Sequence, residues 1–436
     1  MANLHTNFIG IHSPNPFWLA SAPPTDKAYN VNRAFEAGWG GVVWKTLGEA
    51  GPPLVNVNGP RYGALLSPDR RLLGFNNIEL ITDRDLETNL AEIIQVKRDW
   101  PDRALVVSLM VPCNEQAWKA ILARVEDTGA DGIELNFGCP HGMSERGMGS
   151  AVGQVPEYIQ MVTEWCKHYS RLPVIVKLTP NITDVRLPAR AARRGGADAV
   201  SLINTINSIV GVDPYSLTML PSTGGKGSHG GYCGPAVKPI ALNMVAEIAR
   251  DPLTSSLPIS GIGGVGNWRD AVDYIALGAG TVQVCTAAMV HGFKIVQEMK
   301  SGLSDYMDEM GFASIDDFRG RALPTVANWS SLNLNHVSKA VIDQDSCIQC
   351  GRCHIACEDT SHQAITFAKD GKRHFEVKED DCVGCNLCVL VCPVPDCITL
   401  RDLAPGETDL RTGRTVSGDV ADWTTHANNP MRVVSA

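Results

Sequence analysis

Two cysteine runs near the C-terminal end constrain this chain more than any other feature. They read Cys347-x2-Cys350-x2-Cys353-x3-Cys357 and Cys382-x2-Cys385-x2-Cys388-x3-Cys392-Pro393. Each run sets three thiols on a tight loop and a fourth four residues on, which is the bacterial ferredoxin spacing for cubane [4Fe–4S] clusters. In two-cluster ferredoxins the fourth cysteine of each run serves the other cluster. Cys347, Cys350, Cys353 and Cys392 are therefore predicted to hold one cluster, and Cys382, Cys385, Cys388 and Cys357 the second. Zinc needs only four ligands in Cys-x2-Cys pairs and would leave the third thiol of each run redundant. Cys357 is followed by Glu358 instead of proline, which alters a turn but removes no ligand. Cys397 lies outside both sets and reads as a buried apolar residue. Nine of the 14 cysteines fall between Cys347 and Cys397; in a reducing compartment such crowding argues for metal ligation and against disulfides.

The rest of the 436 residues is long enough for one or two further domains. Eight short apolar runs recur before residue 310: Phe17–Ala22, Gly41–Thr46, Leu105–Met110, Gly132–Phe137, Val174–Thr179, Ala199–Asn204, Pro258–Gly263 and Thr281–Thr286. They are rich in Val, Ile and Leu without alternation, as in parallel strands buried on both faces. Helical patterns lie between them, clearly at Leu86–Trp100, Glu115–Thr128, Pro156–Ser170, Lys238–Arg250 and Trp268–Leu277. Weaker ones lie at Val31–Glu36 and Asp184–Arg194, and Gly292–Met310 follows the last strand. Eight strand–helix units predict an α/β chain with a (β/α)₈ TIM barrel over residues 1–310. A doubly wound open sheet would want a glycine-rich first turn, and here the first strand runs into Ala22-Pro23-Pro24. Residues 311–339 read as a linker and 340–400 as the ferredoxin-like module. Residues 401–436 are polar and weakly patterned and read as a flexible or partner-docking tail.

In such a barrel the chemistry gathers where strands end. Each of the eight ends carries small or polar residues: Ala20-Ser21, Lys45-Thr46, Asn114, Asn136 with Cys139 and His141, Lys177, Asn204-Thr205, Gly263-Gly264 and Cys285-Thr286. Glycines after the seventh strand and the turn after the eighth suit a phosphate. Lys45 and Lys177 sit inside apolar strands, where a cation is costly unless an anion faces it. Cys139 opens the glycine-rich loop ELNFGCPHGMSERGMGSAVG, read as a mobile lid whose thiol can serve as a general acid. Cys113, Cys166 and Cys233 read as inert buried thiols; His141 tunes Cys139 or faces solvent.

These segments converge on a resemblance. ELNFGCPHGM, VIVKLTPN, Asn204-Thr205 and GIGG…TVQVCTA resemble the barrels that include dihydroorotate dehydrogenase and dihydropyrimidine dehydrogenase, and the fused ferredoxin module narrows this to the dihydropyrimidine dehydrogenase family. The resemblance implies FMN in contact with Ala20, Ser21, Lys45, Thr46, Lys177, Gly234, Ile262, Gly263, Gly264, Cys285 and Thr286. It implies a pyrimidine base held by Asn114, Asn136, Phe137, Gly138, Asn204 and Thr205, with Cys139 as the proton donor. Cys233 stands where a small hydroxyl residue is expected. The implied reaction is NADH-linked reduction of uracil and thymine to their 5,6-dihydro forms, with electrons passing through both clusters to FMN. No dinucleotide fingerprint is visible, so FAD and NAD are expected on a separate partner subunit, in a heterotetramer.

Other classes fit less well. A dihydroorotate dehydrogenase would want a basic contact for the orotate carboxylate, and an electron-transfer subunit with a non-catalytic barrel would not need so complete a set of strand ends. A radical enzyme using S-adenosylmethionine would need Cys-x3-Cys-x2-Cys, which is absent. The net charge of −9 and the lack of a basic stripe argue against nucleic acid. No apolar run reaches membrane-span length, and the first residues lack a signal-peptide pattern, so the chain is expected in the cytoplasm.

Overall fold

The apolar runs form strands because each must bury both of its faces. A computed structural model, describing residues 2–49, 51–52, 54–368 and 373–432, closes them into one parallel eight-stranded barrel. In chain order its strands are β1 (Phe17–Leu19), β2 (Gly41–Leu47), β3 (Ala104–Leu109), β4 (Gly132–Asn136), β5 (Val174–Lys177), β6 (Ala199–Leu202), β7 (Ile259–Ile262) and β8 (Ala279–Val284). Every residue in them is buried, and β8 closes on β1 through Val282↔Phe17 and Val284↔Leu19. Each run predicted from the sequence contains most or all of one of these strands.

Helices α1 (Ala28–Ala37), α2 (Leu86–Asp99), α3 (Glu115–Glu126), α4 (Pro156–Tyr169), α5 (Arg186–Arg194), α6 (Lys238–Arg250) and α7 (Trp268–Ala276) wrap the barrel. Their starts follow capping chemistry: Asp85 accepts from the Thr88 amide at the head of α2, and Asn267 with Asp270 forms a capping box on α7. The hairpin Thr6–Phe8/Ile11–Ser13 packs Phe8 and Ile11 against Trp18, Val43 and Val106, plugging the N-terminal end.

Two excursions from the opposite end were not foreseen. Strands Tyr62–Leu66 and Leu72–Asn77 follow β2, and Ile206–Ser208 and Gly230–Cys233 follow β6. They join as one four-stranded antiparallel sheet, so the loops after β2 and β6 meet at the barrel mouth.

The chain divides into units Met1–Thr325 and Val326–Ala436. The segment 311–339, read as a linker, is thus shared between them. In the second unit Ser338–Ile342 pairs with Ile398–Asp402, and Ile365–Ala368 with His374–Val377. The segment read from composition as a flexible or partner-docking tail is anchored as far as it is described. Residues Thr408–Asp409 and Arg414–Thr415 form a hairpin. Asp409 pairs at 2.7 Å with Lys339, which is 1% exposed. Trp423 faces Trp329 at 6.3 Å. Residues 433–436 lie outside the described residues.

Candidate active site and cluster sites

At the C-terminal ends of the strands the barrel opens into a cavity of about 640 Å³, within the range of small-molecule sites. All the residues expected to meet the flavin line it: Ala20, Ser21, Lys45, Thr46, Lys177, Gly234, Ile262, Gly263, Gly264, Cys285 and Thr286. Asn136, Cys139, Asn204 and Thr205 line it too.

Three expected substrate residues do not. Asn114 is the N-cap of α3, its Oδ1 accepting from the amides of Gln116 (3.0 Å) and Ala117 (3.1 Å). Phe137 is 2% exposed and turned into the core, edge-on to Trp118 at 6.3 Å. Gly138 acts through its lack of a side chain: a Cβ there would come within 2.2 Å of the Asn204 Cβ.

The polar lining is chained. Asn204 Nδ2 donates to Asn136 Oδ1 (2.9 Å), and Asn136 Nδ2 donates to Thr46 Oγ1 (3.0 Å). Ser21 Oγ lies 3.1 Å from Thr46 Oγ1. The two carboxamides offer both a donor and an acceptor to a ring edge that alternates N–H and C=O.

Both strand lysines have resident anions. Lys45, 4% exposed, lies 3.1 Å from Glu79 and 3.6 Å from Asp26. Glu79 also accepts from Asn56 (3.3 Å), Arg61 (3.2 Å) and the Tyr62 hydroxyl (3.2 Å). Burial raises the Asp26 carboxyl above its usual range, with Lys45 pulling it down. Lys177 lies 3.3 Å from Glu134, whose side chain is fully buried.

Cys139 donates to the His141 carbonyl at 3.5 Å, and Ser150 N donates to the Cys139 carbonyl, closing the loop at its neck. Met143 and Met148 of that loop pack on Ile81 and Met110. Burial pushes the Cys139 thiol up to about 11, with the His141 backbone and Lys177 acting the other way. The His141 ring is buried against the Glu79 carbonyl, Nε2 at 2.9 Å, and that burial lowers its pKa. Cys233 donates to the Phe75 carbonyl and accepts from the Thr286 hydroxyl, each at 3.3 Å.

Asn77, Glu79, Tyr62 and Gln283 also line the cavity and were missed from the sequence. Tyr62 and Asn77 come from the unforeseen sheet and Glu79 follows it two residues on; Gln283 lies inside β8, one step short of the strand end.

These residues fit a flavin mononucleotide. Gly263 (φ +129°) and Gly264 (φ +67°) adopt conformations that disfavour a side chain, and a Cβ on Gly264 would lie 2.7 Å from the Lys238 Cβ. Their exposed backbone suits a phosphate. The helix Thr286–His291 has no side-chain cap on its first turn. Lys45 and Lys177 supply buried cations, and Gln283 Oε1 is a buried acceptor without a partner among the described residues.

In the second unit the cysteines gather as two sets. Cys347, Cys350, Cys353 and Cys392 surround one small void, and Cys357, Cys382, Cys385 and Cys388 another. Among the described residues no three Cys, His, Asp or Glu side chains close on a single metal ion. Four thiols around each void suit a cubane, in which each thiolate binds a different iron. Cys397, 2% exposed, walls the first void and turns its thiol toward the Asp343 carbonyl at 3.7 Å.

Residues 3–307 match the family model of dihydroorotate dehydrogenase, and residues 340–400 that of the 4Fe-4S dicluster domain. The NAD-dependent dihydropyrimidine dehydrogenase subunit PreA of Escherichia coli K12 is 41% identical over 92% of this chain and 96% of its own. The chloroplastic dihydropyrimidine dehydrogenase (NADP(+)) of Arabidopsis thaliana is 42% identical over 72% of this chain and 75% of its own. The catalytic subunit of dihydroorotate dehydrogenase B (NAD(+)) from Pyrococcus horikoshii is 36% identical over 73% and 98%. The solved DHODH of Eimeria tenella shares the fold, with a TM-score of 0.59 at 20% identity over 73% of this chain and 88% of that one. No described helix is long and apolar enough to cross a membrane.

Proposed function

The chain belongs to the dihydroorotate dehydrogenase family, and from that premise we propose that it is a dihydropyrimidine dehydrogenase, reducing the 5,6 double bond of uracil and thymine. The observation that carries this reading is the single cavity that joins a glycine cradle, two buried lysines, two facing asparagines and the Cys139 thiol. Lys45, Lys177, Gly263, Gly264 and Thr286 would hold FMN, which when bound supplies the hydride for C6.

Asn136 and Asn204, tied to each other at 2.9 Å, would exchange that bond for the ring edge of the base, with Asn77 and Thr205 beside them. Cys139 gives its proton to C5 from the loop that covers the mouth. A thiol raised to about 11 is held protonated at neutral pH, the form an acid needs. The buried methionines of the loop pack beside Cys139. Of the second unit's cysteines, the two sets of four would hold clusters whose chemistry is one-electron transfer. An FAD- and NAD-binding partner subunit would supply the electrons, in the reducing cytoplasm.

A dihydroorotate reading would require a cation free to meet a carboxylate. The buried lysines are already paired with Glu79, Asp26 and Glu134. Arg70 and Arg71 line the cavity as exposed side chains, and Arg71 pairs with Asp69 at 2.8 Å. The test is anaerobic purification with cofactor analysis, then uracil and orotate reduction assays with reduced donor. FMN content with uracil turnover supports the proposal; turnover of orotate alone overturns it.

A further inference from the structure

Inside the barrel runs a polar layer centred on a carboxylate, Glu134, to which the reaction described above gives no role. Glu134 on β4 has a fully buried side chain. Its Oε2 accepts from Ser201 on β6 (2.8 Å) and from Gln283 Nε2 on β8 (3.2 Å), and its Oε1 lies 3.3 Å from the Lys177 ammonium on β5. Gln283 Nε2 also donates to Ser260 on β7 (3.1 Å), which accepts in turn from Thr281 (2.8 Å). One carboxylate thus links five consecutive strands.

Two consequences follow from elementary chemistry. A carboxylate only accepts hydrogen bonds, so Glu134 fixes which end of the Gln283 carboxamide faces it. Both Nε2 hydrogens are used, and Oε1 is left as a buried acceptor with no partner among the described residues. Second, the charge at Lys177 is that of an ion pair. In a dry site an unpaired cation and a paired one act very differently on a neighbouring group whose charge changes.

We propose that Glu134 is a positioning residue that sets the reduction potential of the bound flavin, by holding the Lys177 ammonium and fixing the orientation of the Gln283 carboxamide. The inference rests on the FMN site proposed above. The resident anion offsets part of the lysine's charge, so reduced flavin, which carries negative charge, is stabilised less than a lone lysine would allow. The pair keeps FMN poised to hand electrons on to the base.

The experiment is a spectroelectrochemical titration of the flavin in the full-length holoprotein. Glu134→Gln keeps shape and removes charge. It should bind FMN stoichiometrically and raise the reduced-to-oxidised ratio at a fixed potential at least tenfold, about 30 mV for a two-electron couple. Glu134→Asp, restoring the charge, should return most of the shift. If Glu134→Gln does not fold, the same charge is read by comparing Lys177→Met with the double variant Lys177→Met/Glu134→Gln, which buries no unpaired ion. The double variant should favour the reduced form at least tenfold more than Lys177→Met alone. Ratios within twofold in both comparisons, with FMN bound, overturn the role of Glu134. Absence of FMN from the wild-type protein would instead overturn the site itself.

Discussion

Replacing Cys139 separates the two directions of the reaction, because its burial acts on them with opposite sign. The thiol is raised from the ordinary thiol range to about 11. At pH 7 that leaves about one thiol in 10⁴ ionised, so the acid form is fully available for protonating C5. General acid catalysis is worth roughly 10²–10⁴-fold, and Cys139→Ser should lose a factor of that order in uracil reduction while FMN, both clusters and uracil binding are kept. Cys139→Ala should lose at least as much.

Oxidation of the dihydro compound needs the thiolate as base. Its rate should climb about tenfold per pH unit from neutrality toward pH 10, whereas reduction should not fall through the loss of this proton until pH approaches 11. The assay is single-turnover flavin absorbance, followed in both directions from pH 6 to 10. Reduction within a few-fold of wild type in either variant would move the proton to Ser144 or His141 on the same loop. A reverse rate that levels off near pH 8.5 would show that the thiol is not desolvated as the structure has it.

The remaining predictions concern the other parts of the chain. Iron and sulfide should each be present at about eight per chain, as two cubanes require; stoichiometric zinc without sulfide would refute the assignment. The purified single chain should not oxidise NADH and should gain that activity with an FAD-containing partner; rapid NADH oxidation alone would reveal a dinucleotide site. Asp409→Asn should strand the buried Lys339 cation and cost the second unit about 3 kcal/mol, read as faster proteolysis of residues 401–432 at pH 7. Burial alone would raise Asp409, but the Lys339 and Thr412 contacts hold it down to about 2. The wild-type contribution is therefore present above about pH 4 and lost as pH falls toward 2, and tail cleavage unchanged in the variant would refute the anchoring.

How much was legible in the sequence follows from the range of each interaction. The barrel strands were legible because burial on both faces writes an unbroken apolar run into consecutive residues. The sheet over the mouth was not, since its strands are short and carry glycines and asparagines. Its pairing joins residues far apart in the chain, as where Asn76 Nδ2 donates to Ser208 Oγ at 2.9 Å. The capping role of Asn114 was not read, although a capping asparagine and a substrate-binding one look alike at a strand–helix junction; the Glu115-Gln116 that follows, opening a helix, was the signal for a cap. The anchoring of the tail was hidden for the same reason of range, since its polar composition does not show that Asp409 answers a buried lysine.

Lys177 carries the same lesson into the site. An apolar strand that contains a lysine announces that an anion must be near, and the reading supplied a flavin for it. The structure supplies Glu134, buried in the middle of an apolar strand and away from the strand ends that were read for ligands. A cation that already has a partner cannot act on a ligand with its full charge. The electrostatics of this cavity therefore belong to pairs, Lys45 with Glu79 and Lys177 with Glu134, and it is the anionic halves, absent from any list of strand-end residues, that decide how strongly each lysine pulls on what binds there.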